Sequence, residues 1–161
     1  MPLIRLLLKY WVPVLLWMAL IFSASGDTKS YDRSSRIIAP LVRLLFPSLS
    51  EGAVDRMVLV ARKGAHVTEY AVLAVLCWYA IRRPVRSDPR PWSWRQAGIA
   101  FLIVAAYAAT DEWHQSFVPG RDGHVRDVLI DSAGGALGLL ALRAFYRPRP
   151  AESTVIQSAN P

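Results

Sequence analysis

Apolar residues fall in four blocks along the chain, at about 10–25, 65–81, 96–114 and 127–146, with polar or Arg-rich stretches between them. Crossing a bilayer as a helix takes ~20 mostly apolar residues. Each block approaches that length if its polar end is counted in. The pattern predicts an all-α polytopic membrane protein with four antiparallel transmembrane helices. Trp11, Trp78, Trp92, Trp94, Trp113 and Tyr146 stand at block ends, where interfacial aromatic belts form. The stretch 34–49 is different. Arg36 and Arg43 interrupt apolar residues at helical spacing, and Pro40 and Pro47 limit it. It predicts a short amphipathic segment lying at the interface, with a re-entrant segment as the alternative. The first block follows Arg5 and Lys9 and ends in Ser23-Ala24-Ser25, so it also describes a signal peptide. Pro13, Trp11 and Trp17 favour an anchor over that reading. One domain is expected over 1–147, and a disordered cytoplasmic tail over 148–161.

Charge changes the picture in one respect. The chain of 161 residues is 53% hydrophobic and 19% charged, with a net charge of +7. In a soluble protein such a balance suggests nucleic acid. Here the basic residues lie mostly between apolar blocks, where they orient the chain and meet anionic lipid, so a bilayer is the expected partner and nucleic acid is not. The compact loop 82–95 holds five Arg and one Asp. By the positive-inside rule it places both termini in the cytoplasm. Cys77 is the one cysteine and cannot form an intrachain disulfide.

The candidate chemistry sits at block ends. Residues 111–131 read D-E-W-H-Q-S-F-V-P-G-R-D-G-H-V-R-D-V-L-I-D. An Asp or Arg near a bilayer centre carries a penalty of roughly 2.5–3.5 kcal/mol, so such groups face a protein interior or a wet cavity. Four alternating spans bring the end of the first, the start of the second, the end of the third and the start of the fourth to one side. Lys63, His66 and Tyr70 then share a helix stripe with Glu69 beside it; Asp111 and Gln115 lie at i, i+4 with Glu112 and His114 alongside; Asp127 and Asp131 also lie at i, i+4. With Arg121 after the Pro119-Gly120 turn, these residues are the expected binding set, on the extracytoplasmic side. His66, Asp111 and Glu112 are candidate acid/base groups. A structural ion-pair network with Lys63, Arg121 and Arg126 is the bland alternative. The chain lacks H-E-x-x-H, and neither a metal nor a cofactor is expected. Gly134 to Gly138 is a small-xxx-small pattern that lets helix backbones approach.

These residues resemble the VanZ-like family of small bacterial membrane proteins. The matching motifs are W-x-x-x-I/L-F-S-x-S at Trp17, Phe22, Ser23 and Ser25; K-x-x-H-x-x-E-Y at Lys63, His66, Glu69 and Tyr70; D-E-x-H-Q-x-F-x-P-G-R from Asp111 to Arg121; and Asp127, Asp131, Gly134 or Gly135, and Gly138. Where many relatives carry Asn, this chain has Asp131. The resemblance implies a bacterial cell-envelope protein of the inner membrane; the family's namesake is linked to resistance to the glycopeptide teicoplanin, a property the resemblance does not extend to this chain. The expected function is a polar pocket that binds a lipid head group, a cell-wall precursor or a glycopeptide. The alternatives are a membrane-embedded hydrolase or transferase on a phosphorylated lipid or precursor, with Arg121 clamping phosphate, and a structural or assembly subunit.

Overall fold

A computed structural model describes residues 2–26, 30–84, 88–119 and 123–148. Five helices account for nearly all of them: α1 (Pro2–Ser25), α2 (Ser30–Leu45), α3 (Glu51–Arg82), α4 (Trp94–Gln115) and α5 (Val125–Phe145). No strand occurs among the described residues. The tail expected to be disordered lies, from residue 149 onward, outside the described residues.

Helix ends follow local chemistry. α3 opens after Ser50 with Glu51 in its first turn, where a carboxylate complements the helix dipole. It closes at Arg83, whose left-handed backbone (φ 47°) lets its N–H return to the Tyr79 carbonyl at 2.8 Å. α4 opens with the Ser93 hydroxyl accepting from the Gln96 N–H at 3.4 Å. α5 carries Asp127 in its first turn and ends before Pro148.

α3 is the hub, packing against α1, α2, α4 and α5, while α5 also lies along α4. Helices consecutive in the bundle run antiparallel. Tyr10 near the start of α1 donates to the Pro84 carbonyl beyond the end of α3, and Trp17 donates to the Glu69 carbonyl. α3 and α5 run parallel, since Lys63 meets Asp127 at one end and Arg82 meets Tyr146 at the other. They touch backbone to backbone. A Cβ added at Gly134 would sit 2.6 Å from the Val67 carbonyl oxygen, and one at Gly138 would sit 2.5 Å from that of Ala71. The small-xxx-small pattern therefore does the packing work expected of it.

The four-span expectation is met only in part. Among the described residues three helices are long and apolar enough to cross a membrane, α1 from Ile4 to Ser25, α3 and α5. α4 has 22 residues, as many as a span needs, but is less apolar. The reason lies at its ends, where Arg95 and Gln96 open it and Asp111, Glu112, His114 and Gln115 close it around an apolar middle; its inward face, Ala97, Ala100, Val104, Ala108, Asp111, Glu112 and Gln115, is small or polar where it fits between neighbours. α3 also starts well before the expected block. At 1.5 Å per residue its 32 residues run ~48 Å, against ~30 Å of bilayer hydrocarbon. Its first turns pair with α2 through Ala39, Val42, Val54 and Val58. The sequence between Leu49 and His66 holds no proline, so the helix runs on through its charged residues. Leu15, Leu16, Leu20, Leu102, Leu137, Leu140 and Phe145 lie exposed around the bundle, the surface a lipid-facing protein presents.

Candidate functional site

The helix directions bring the polar sets to one end of the bundle, as alternation predicts. They form two groups there. The first is an interior node on Asp111, which is 1% exposed. Its Oδ2 accepts from the Ser25 hydroxyl at 2.7 Å, the Gln115 amide at 3.1 Å and the Tyr70 hydroxyl at 3.2 Å. One oxygen thus ties α1, α3 and α4 together. Asp111 Oδ1 is buried with no hydrogen-bond partner. Tyr107 donates to the Met18 carbonyl at 2.6 Å and adds a second tie between α4 and α1. His114 stacks its ring on Phe22 at 4.1 Å, against α1.

The second group lines a cavity of about 190 Å³ between α3, α4 and α5. Arg62, Lys63 and His66 come from α3, Glu112 and Gln115 from α4, and Asp127 and Asp131 from α5, with Leu59 and Ile130 as apolar walls. Lys63 donates to Asp127. Glu112 Oε2 accepts the main-chain N–H of His124 at 3.0 Å. His66 Nδ1 is 3.8 Å from Glu69 Oε2, an ion-pair distance if the ring is protonated. Arg62 donates to the Ser34 hydroxyl of α2 at 2.9 Å. Asp131 is 3% exposed, turned into the bundle and away from lipid, yet its Oδ2 has no hydrogen-bond partner.

The sequence-predicted set is therefore split. Lys63, His66, Glu112, Gln115, Asp127 and Asp131 line the cavity. Tyr70 and Asp111 lie beside it in the node, bridged to it by Gln115. Glu69 is not in the cavity wall but lies beside His66, and His114 packs against Phe22. Arg121, with Gly120 and Asp122, lies outside the described residues, as does Asp27. Asp131 was expected to bond to another span; among the described residues its Oδ2 has no partner. Among the described residues no group of three or more His, Cys, Asp or Glu is placed to hold a metal ion. Ser25 as the partner of Asp111 was foreshadowed only by its place at the end of the first block. Arg62, read as a loop charge, lies on the charged first part of α3 and reaches the cavity.

The opposite end holds a feature the sequence reading took only as an orientation signal. Arg82 is buried and donates to Asp88 (3.1 Å), the Pro91 carbonyl (2.9 Å), Gln96 (3.2 Å), the Arg90 carbonyl (2.6 Å) and Tyr146 (2.8 Å). Its guanidinium lies over the Trp78 and Tyr146 rings, and Trp78 stacks on Trp92 at 5.1 Å. Hydrogen bonds from Arg90, supplemented by Arg82, hold the Asp88 carboxyl well below the usual carboxylate range. This cluster fastens the loop between α3 and α4 to the end of α5.

Compared with known proteins, the chain matches the VanZ/LLP1 family model over residues 10–146. No curated protein and no solved structure matches it.

Proposed function

Because the chain belongs to the VanZ/LLP1 family of membrane proteins, we propose that it binds the polar head group of an envelope lipid or lipid-linked cell-wall precursor in the cavity between α3, α4 and α5. In this reading α4 is a fourth span, α2 lies at the interface, and the termini are cytoplasmic in an inner membrane. The cavity then opens toward the extracytoplasmic leaflet. The observation that carries the proposal is the cavity itself. Charged and amide side chains from α3, α4 and α5 converge on one polar volume beside the expected head-group level, where isolated charges would be costly. Size favours a head group over the glycopeptide. Drug-sized ligands fill ~300–1,000 Å³, and about 190 Å³ takes a head group.

The test is binding of short-chain phospholipids to the purified full-length protein in detergent, read as thermal stabilisation. A ligand at 100 times its Kd stabilises by ~2.7 kcal/mol. Leu59→Trp, at an exposed wall of the cavity, should remove most of that gain and leave the unliganded midpoint nearly unchanged. Stabilisation that is equal in the variant and the wild type would refute the site. A second reading, hydrolysis or transfer at a phosphorylated head group, draws on His66 and Glu112 lining the same cavity. In that case His66→Asn and Glu112→Gln abolish turnover and retain binding.

A further inference from the structure

The charges around the cavity are unequally satisfied. Among the lining residues, the basic side chains Arg62 and Lys63 stand against three carboxyl groups, Glu112, Asp127 and Asp131, with His66 beside them. Lys63 is engaged by Asp127 and Arg62 by Ser34. Glu112 receives a main-chain N–H on one oxygen. Asp131 stands apart. It is 3% exposed, it lines the cavity, and its Oδ2 is buried with no donor. More than nine in ten buried polar groups are satisfied, and an unsatisfied one costs ~1–3 kcal/mol, more if charged. The free oxygen calls for a donor that the described chain does not supply, and the excess of carboxylate calls for a cation.

We propose that Asp131 and Glu112 receive the primary ammonium of an ethanolamine-type phospholipid head group, whose phosphate lies at the cavity mouth beside Lys63. This rests on the head-group reading above and narrows it. A primary ammonium carries three N–H donors, enough for Asp131 Oδ2 and a Glu112 oxygen together. A quaternary ammonium brings charge without a donor and leaves Asp131 unsatisfied. A purely anionic head group meets three carboxylates. Lys63 uses one donor on Asp127 and keeps two for phosphate. At about 190 Å³ the cavity has room for the aminoethyl end of such a head group.

The test is equilibrium binding to the full-length protein in detergent. The probes are dihexanoyl phosphoethanolamine, its N-methyl, dimethyl and trimethyl analogues, dihexanoyl phosphoglycerol, and tail-less phosphoethanolamine. The expected result is at least tenfold tighter binding of the primary amine lipid than of the trimethyl or glycerol lipid, with affinity falling at each methylation. Asp131→Asn should weaken the amine lipid at least tenfold and leave the glycerol lipid unchanged. The methylation series in the wild type decides the matter if that variant fails to fold. Equal affinity for amine, trimethyl and glycerol lipids overturns the ammonium assignment and leaves the head-group reading standing. Saturable binding of none of them overturns the head-group reading itself. Equal affinity for tail-less phosphoethanolamine overturns the assignment to a lipid.

Discussion

Replacing Gly138 with Ala tests how α3 and α5 meet. The added Cβ would lie 2.5 Å from the Ala71 carbonyl oxygen and 2.8 Å from its Cα. Ordinary contact begins near 3.4 Å, so α5 must retreat by 3.4 − 2.5, or about 0.9 Å, against main-chain atoms that have no rotamer to change. Overpacking costs ~1–3 kcal/mol, and a backbone overlap belongs at the upper end. Alanine recovers ~1 kcal/mol of helix propensity. The net loss is ~2 kcal/mol, or a fall of roughly 4–8 °C in unfolding midpoint at ~2–4 °C per kcal/mol. Gly98→Ala is the matched control. It adds the same methyl within α4, where nothing lies within 4 Å, and should raise the midpoint by roughly 2–4 °C. The assay is thermal unfolding of both variants in one detergent. Equal shifts, or a Gly138→Ala protein as stable as wild type, would refute the backbone contact. The retreat also moves Asp127 and Asp131 away from Lys63, so short-chain lipid binding should fall with the stability.

Further outcomes follow from the two ends. Single cysteines at Arg95 and Ser116, both exposed, in a Cys77→Ala background should label oppositely with an impermeant reagent, Ser116 from outside; the reverse result inverts the proposed topology. Asp111→Ala strands the Ser25, Tyr70 and Gln115 donors, and at ~1–3 kcal/mol for each unsatisfied group should unfold well below Ser25→Ala, which loses ~1 kcal/mol; comparable midpoints would refute the node. Arg82→Lys leaves three donors where five contacts now stand, so it should lower the midpoint, while Asp88 keeps its pair with Arg90. The lowered Asp88 value gives the sign for pH. Its contribution is present above the unfolded value of ~3.9 and is lost as pH falls through the lower folded value, so Asp88→Asn should flatten the acid limb of a stability profile measured below about pH 4.

Much of this was legible from the pattern of residues, for identifiable reasons. Alternation of apolar blocks fixes which block ends meet, so the gathering of Lys63, Asp111, Glu112 and Asp127 at one end needed no coordinates. Spacing of i, i+4 placed Gln115 on Asp111 and Asp131 beside Asp127. Spacing does not fix how a helix is rotated against two neighbours at once. That is why Tyr70 turned to Asp111 while Lys63 and His66, on the same stripe, faced the cavity. Neither does it distinguish a charge in a loop from one on a helix that outruns the membrane, which hid Arg62. Arg82 was missed because its partners, Asp88, Gln96 and Tyr146, come from three places in the chain that only packing unites.

The alanine-lined face of α4 bears on how the molecule is made. In the proposed four-span topology, chains emerge from the ribosome amino end first, so α4 reaches the membrane before α5. At that moment Glu112 and Gln115 are on a helix of modest apolarity and Lys63 has no Asp127. Nothing in α4 by itself holds those groups in a bilayer against their insertion penalty. The last helix does, arriving with the glycines that let it close on α3 and with the acid that meets Lys63. Chains interrupted near residue 120 should accordingly be recognised by membrane quality control and degraded, and supplying α5 as a separate peptide should rescue them.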